Sequence, residues 1–301
     1  MQILNQKIHI ENASISISIK REDLLHPIIS GNKFRKLKYN LKEAIKQKKS
    51  KLLTFGGAFS NHILAVAAAG KEAGFETIGI IRGEELEDKV LENPTLFKAQ
   101  KLGMKFKFVD REMYRNKNEI DFRRRLEFEF QDFYLLPEGG TNELAIQGCE
   151  EILTDLDNDF DFICCSVGTG GTISGIINCS KESQQVLGFP ALCGDFLKED
   201  IRKFATKSNW NLIPDYDFGG YAKVSDELIR FMNDFYSKYN ILLDPIYTGK
   251  MMFGVMDLIE KDFFPKNSRI LVIHTGGLQG IAGINAKLRK INKIEISGYE
   301  K

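Results

Sequence analysis

Read for hydrophobic and polar spacing, the chain alternates between short strand-like apolar runs and longer amphipathic stretches. Residues 2–10 and 14–19 read as strands; Ser14-Ile15-Ser16-Ile17-Ser18-Ile19 alternates with period two. A basic helical run extends from Lys33 to about residue 48. Residues 51–55 form a strand closed by Gly56-Gly57, and Ser60-Asn61-His62 opens an alanine-rich helix to about residue 73. Further strands are predicted at 77–81, 105–109, 133–136, 160–166, 184–188 and 269–274. Helices are predicted at 94–101, about 119–130, from Asn142 to about 153, after Thr172, and near 197–206, 225–239, 250–261 and 278–290. Strands and helices in alternation imply parallel sheet with helices on both faces, an α/β fold. No fixed-period repeat or low-complexity linker marks a lobe boundary.

Five Gly-Gly pairs punctuate this pattern: Gly56-Gly57, Gly139-Gly140, Gly170-Gly171, Gly219-Gly220 and Gly276-Gly277. All but Gly219-Gly220 directly follow a predicted strand. Ligands of open parallel sheets bind outside the carboxyl ends of the strands, and glycine there lets backbone N–H groups come close. The richest loop is Ser166-Val167-Gly168-Thr169-Gly170-Gly171-Thr172, which links a strand to a helix start and offers successive N–H donors to a phosphate. Ile173 stands where a dinucleotide fingerprint needs its third glycine, and no lysine follows as a Walker A loop requires. The spacing fits the phosphate of a mononucleotide-sized cofactor, or a glycine-rich turn with nothing bound.

Upstream, the turn Ser30-Gly31-Asn32 hands over to the basic helix with Lys33 at the junction. The positive end of the helix dipole, with Arg35 and Lys36 nearby, disfavours the ammonium form of Lys33. A desolvated lysine in that position loses its proton readily and attacks a carbonyl. The plain alternative is a helix start with ordinary solvated lysines.

Composition narrows the function classes. With 42 basic and 41 acidic residues the net charge is +1, which gives no footprint for nucleic acid or an anionic membrane. No apolar run reaches the length of a membrane span. Residues 1–10 carry Gln, Asn, Lys and His between apolar positions, unlike a signal peptide. The cysteines, Cys149, Cys164, Cys165, Cys179 and Cys193, show no CxxC spacing; buried reduced thiols are expected, with neither a metal site nor disulfides. A cytoplasmic location follows as an expectation.

Three segments together carry a family resemblance. Gly31-Asn32-Lys33-x-Arg35-Lys36-Leu37, then Gly56-x-x-x-Ser60-Asn61-His62, then the 168–172 loop resemble the fold-type II (tryptophan synthase β-like) pyridoxal-phosphate enzymes. Within that group the chain most resembles the 1-aminocyclopropane-1-carboxylate deaminase / D-cysteine desulfhydrase family. Pro137-Glu138-Gly139-Gly140-Thr141-Asn142, Asp244-Pro245-Ile246-Tyr247-Thr248-Gly249-Lys250 and His274-Thr275-Gly276-Gly277 resemble further family segments, in the family's order.

The resemblance implies two mostly parallel sheets flanked by helices, with the cofactor between two lobes: residues 1–35 with 149–301 forming the larger, and 36–148 the smaller. It implies that Lys33 condenses with the cofactor's aldehyde and that Lys36, one helical turn on, contacts its phosphate. Gly168, Thr169, Gly170, Gly171 and Thr172 resemble the phosphate loop, and Asn61 the partner of the cofactor's 3-hydroxyl. Thr248 and Thr275 resemble cofactor-ring contacts. Ser60, Asn61 and His62, at a helix N-terminus, are placed to receive the substrate carboxylate through backbone N–H groups. Ser60, Tyr247 and Tyr221 resemble catalytic positions, with the tyrosines suited to proton transfer; a core aromatic is the alternative for Tyr221, and a structural donor for His274. Family members are usually homodimers acting on small amino acids.

Two positions bear on the substrate. The resemblance suggests that the deaminases carry glutamate at the position of Thr248 and leucine at that of Thr275, whereas the desulfhydrases carry threonine at both. His62 also resembles the desulfhydrase version. A neutral hydroxyl near the pyridine nitrogen makes a weaker electron sink than a carboxylate does, so β-elimination of D-cysteine to pyruvate, ammonia and sulfide is expected over ring opening to 2-oxobutanoate. A non-catalytic relative retaining the fold, or a nucleotide-binding transferase using the 168–172 loop, would be separated from this reading by what the protein binds.

Overall fold

The structure is a computed structural model that describes residues 3–11, 14–192, 194 and 196–299. In chain order the elements are β1 (Asn5–Ile8), β2 (Ser16–Lys20), α1 (Asn32–Lys46), β3 (Lys51–Gly56), α2 (Asn61–Ala73), β4 (Glu76–Arg82), α3 (Pro94–Lys101), β5 (Lys105–Val109), α4 (Arg111–Arg115), α5 (Ile120–Phe130), β6 (Tyr134–Leu136) and α6 (Glu143–Cys149). They continue with β7 (Phe162–Val167), α7 (Gly171–Cys179), β8 (Gln185–Pro190), α8 (Phe196–Arg202), β9 (Trp210–Leu212), α9 (Asp226–Tyr239), α10 (Thr248–Glu260), β10 (Arg269–Ile273) and α11 (Gly280–Lys290).

The strands form two sheets. The larger runs β1-β2-β10-β7-β8-β9 and is parallel apart from the β1–β2 pair. The smaller runs β5-β4-β3-β6 and is wholly parallel. Both are covered on both faces, which explains their continuous apolar strands. In β10, Ile270 and Val272 join one buried cluster with helices α9, α10 and α11, while Leu271 and Ile273 join another under α7 and α8. In β3, Leu52 packs against the apolar face of α2, and Leu53 and Phe55 pack against Tyr114, Phe122 and Leu126 on the opposite side. Period two thus delivers each strand's side chains to two cores.

Chain order reverses at β3 in the small sheet and beside β7 in the large one. The loops after β3, β6, β7 and β10 therefore gather at strand carboxyl ends, where the topology leaves crevices. Local chemistry sets the entries of the helices that follow. Ser60 caps α2, accepting the Ile63 N–H at 3.4 Å, and Asn142 caps α6, accepting the Ala145 N–H at 2.9 Å.

Some sequence expectations shift. The strand expected over 2–10 shortens to Asn5–Ile8, with residue 2 outside the described residues. The helix expected to 153 stops at Cys149. Cys149, Cys164 and Cys165 are free and buried, and Cys179 is free and half-buried; Cys193 lies outside the described residues. Among the described residues no helix is long and apolar enough to cross a membrane.

Candidate active site

The crevice forms where the loops after β7 and β10 face the starts of α1 and α2. Lys33, Lys36, Asn61, Gly168, Thr169, Gly170, Thr172, Tyr247 and Thr275 all line it, so most of the nominated residues meet in one place.

Lys33 is fixed by its turn. Gly31 caps α1 at φ +62°, ψ −136°, a conformation that suits glycine. A Cβ there would lie 1.9 Å from the Thr275 carbonyl oxygen, and the Asn32 N–H donates to that same carbonyl at 3.2 Å. The start of α1 is thereby stapled to the loop after β10. Arg35 adds a bidentate pair with the fully buried Glu22 at 2.8 and 2.9 Å. Lys33 itself is half-buried, lines the crevice and donates to the Asn32 amide oxygen at 3.3 Å. Burial first, and the Lys36 ammonium second, push its amine down to about 7.

Lys36 is 2 % exposed and donates to the Gly139 carbonyl at 3.1 Å and the Thr141 hydroxyl at 3.0 Å. Two of its three donors are thus taken. Its Nζ is 3.2 Å from where a Gly171 Cβ would stand, directly beneath the glycine loop. A chain of hydroxyls and an amide completes that cradle: Thr141 bonds Thr169 at 2.6 Å, and Asn32 donates to Thr172 at 2.8 Å. The N–H groups of Thr169, Gly170 and Gly171 have no protein acceptor among the described residues, and Gly170 takes φ +80° to aim the loop into α7.

On the α2 side, Asn61 Oδ1 is buried without a hydrogen-bond partner among the described residues. Such an orphan calls for a ligand donor. A Cβ on Gly277 would sit 2.7 Å from Asn61 Nδ2, so that glycine keeps the amide's place clear. Across the crevice, Ser166 and Thr275 share a 3.1 Å hydrogen bond. No carboxylate lines the crevice among the described residues.

The tyrosine wall is built from α10. Asp244, 1 % exposed, accepts the N–H groups of Ile246, Tyr247 and Thr248 at 3.0, 3.1 and 2.8 Å, and the Thr248 hydroxyl at 2.8 Å. This cap turns Tyr247 towards Gly168; a Cβ on Gly168 would lie 3.4 Å from its hydroxyl. Burial and the neighbouring Tyr221 raise the Tyr247 phenol well above its ordinary range, so it stays protonated. Tyr221, 43 % exposed, meets Tyr247 edge-on with ring centroids 6.2 Å apart.

Five nominated residues, Ser60, His62, Gly171, Tyr221 and Thr248, do not line the crevice. The Ser60 hydroxyl is engaged in capping, and its N–H donates to the Gly57 carbonyl at 3.0 Å. The buried His62 ring turns inward: its Nε2 is 2.9 Å from the Thr54 hydroxyl, and it lies against Gly140. Desolvation and the two lysines hold it far below the usual imidazole range, hence neutral. Thr248 is fully buried and both accepts from and donates to Asp244. Tyr221 reaches the crevice only through Tyr247. His274 is also buried away from the crevice, with Nε2 2.6 Å from the Leu242 carbonyl and Nδ1 accepting the Gly276 N–H at 3.2 Å. Sequence reasoning assigned no role to the side chains of Asn32, Thr141 and Ser166, although all three stand in segments it quoted, nor to Gln279, which lines the crevice with no motif to mark it.

A lysine amine near neutrality, a donor-rich cradle beneath it and an orphaned amide fit an aldehyde-bearing phosphate ligand. The family profile described as pyridoxal-phosphate dependent enzyme matches residues 5–276. The chain belongs to that family. It is accordingly a pyridoxal-phosphate-dependent lyase. A Thermotoga maritima protein provisionally named 1-aminocyclopropane-1-carboxylate deaminase is 30% identical over 92% of this chain and 94% of its own. An Arabidopsis thaliana protein named bifunctional D-cysteine desulfhydrase/1-aminocyclopropane-1-carboxylate deaminase, mitochondrial, is 29% identical over 87% of this chain and 72% of its own. A solved structure described as an ACC deaminase homologue superposes with a TM-score of 0.80 at 26% identity, covering 97% of this chain and 94% of that one.

Proposed function

We propose that the enzyme removes the β-substituent and the amino group of a small amino acid, with D-cysteine as the preferred substrate. One observation carries the choice: the crevice presents the Ser166 and Thr275 hydroxyls, and no carboxylate lines it among the described residues. When bound, pyridoxal phosphate supplies an electron sink that a carboxylate at its ring nitrogen strengthens and a hydroxyl leaves weak. A crevice that offers hydroxyls and no carboxylate favours a substrate whose substituent leaves readily as a thiolate over an unactivated three-membered ring.

In this reading the cradle of Lys36, Thr169, Gly170, Gly171 and Thr172 grips the phosphate, and Asn61 meets the 3-hydroxyl. The N–H groups of Asn61 and His62, at the positive end of α2, receive the substrate carboxylate. The Lys33 amine holds and returns the α-carbon proton, a role that its lowered basicity suits. Tyr247, protonated throughout the neutral range, gives a hydrogen bond to the departing sulfur. The C–S electron pair leaves with sulfur as sulfide, and the remaining enamine takes up water to give pyruvate and ammonia. Residues 36–148 and the rest of the chain act as two lobes closing on the substrate.

The names of the relatives favour ring opening as the second reading, because 1-aminocyclopropane-1-carboxylate deaminase recurs among them. Incubation with each substrate separates the two. Sulfide and pyruvate from D-cysteine are expected; 2-oxobutanoate from the cyclopropane amino acid with no sulfide from D-cysteine would overturn the proposal.

A further inference from the structure

One buried cation has no part in the site described above. Lys250 lies in the first turn of α10, three residues after Tyr247, and is 2 % exposed. Its ammonium donates to the carbonyl oxygens of Asp217 at 2.7 Å and Gly220 at 2.8 Å. Those carbonyls belong to a tightly curled loop. Phe218, Gly219, Gly220 and Ala222 take φ of +53°, +84°, +107° and +58°. Non-glycine residues hold such values where surrounding contacts over-determine the backbone.

The contacts come from one face of α10. Phe253 meets the Phe218 ring edge-on with centroids 5.0 Å apart. Gly254 leaves the space that the Tyr216 ring fills, 2.7 Å from where a Cβ would stand. Asp257 accepts the Tyr216 hydroxyl. Positions 250, 253, 254 and 257 follow helical spacing along a single stripe. The helix that presents Tyr247 to the crevice therefore also carries the grips on the loop that bears Tyr221, and the two rings touch.

We propose that Lys250 is a positioning residue for substrate recognition. Its ammonium gathers the Asp217 and Gly220 carbonyls as a bound cation would, and so sets Tyr221 against Tyr247 on the substrate side. A methionine of similar volume would fill the space and leave the loop ungathered. The inference rests on the role proposed for Tyr247 and on the resemblance that makes Tyr221 a catalytic position.

The test is a double-mutant cycle on the holoenzyme with Lys250→Met and Tyr221→Phe. It is read as kcat and KM with whichever amino acid of a D- and L-panel is turned over fastest, alongside the absorbance of the bound cofactor. Tyr221→Phe alone is expected to lower kcat/KM by about tenfold. Lys250→Met is expected to cost about as much with cofactor occupancy unchanged, and the double variant to lose little more. Lys250→Arg should recover most of the loss. If Tyr221→Phe is silent in the wild-type background, the tyrosine reading fails and takes the clamp with it. If Tyr221→Phe is costly but the two losses add independently, only the clamp is overturned. Should Lys250→Met fail to fold, Gly220→Ala strains the same loop at φ +107° and leaves the residues of α10 unchanged; full retention of the Tyr221 dependence in that variant would equally overturn the proposal.

Discussion

Gly31 and Thr275 touch so closely that a Cβ on the glycine would stand 1.9 Å from the threonine's carbonyl oxygen. This contact registers the lysine-bearing helix against the loop after β10. Gly31→Ala must both move that loop and adopt φ +62°, ψ −136°. We expect a loss of about 2–5 kcal/mol from strain and overpacking together. Urea denaturation of the cofactor-free protein checks this, and cofactor affinity should fall with it because Lys33 and Thr275 would no longer face each other.

Lys33 gives a signed pH dependence. Its amine sits at about 7 against an ordinary 10.5, so capture of pyridoxal phosphate by the cofactor-free protein should speed up through an apparent pKa near 7. Stability follows the same linkage. Below about pH 7 folded and unfolded chains both hold the proton, and the folded state bears the full desolvation cost. Between 7 and 10.5 the unfolded chain holds more protons, so stability gains as pH rises. Cofactor-free Lys33→Met should therefore melt above wild type near pH 6, with the difference vanishing towards pH 10.5. A constant difference across that range would contradict it.

Asn61 predicts a separation of stability from binding. Its buried Oδ1 lacks a partner in the described residues, so Asn61→Ala removes an unsatisfied acceptor. The melting temperature of the cofactor-free protein should stay level or rise. Pyridoxal phosphate affinity, measured by equilibrium titration, should weaken by about tenfold, the equivalent of one lost hydrogen bond.

Much of this site is legible in the chain itself. Gly31-Asn32-Lys33 and the 168–172 loop each combine a turn that needs glycine with a helix start, and both signals are local. The alternating strands are legible because both faces of each sheet are buried, which makes β7 and β10 almost wholly apolar. Side-chain direction is less so. His62 and Thr248 belong to quoted motifs, yet one turns inward to Thr54 and the other closes a cap with Asp244. A motif fixes position along the chain, while these directions depend on partners from other turns and strands. Lys250 shows the same limit: its acceptors lie 33 and 30 residues upstream in a loop with no periodicity. The strand Trp210–Leu212 is three residues long and too short to display a period.

The most direct measurement is borohydride reduction of the holoenzyme followed by peptide mass spectrometry. The crevice geometry predicts one reduced pyridoxyl-phosphate adduct, on Lys33 and not on the neighbouring Lys36, and no adduct in Lys33→Ala. An adduct on another lysine, or none in a protein that has taken up the cofactor, would contradict the site as built here.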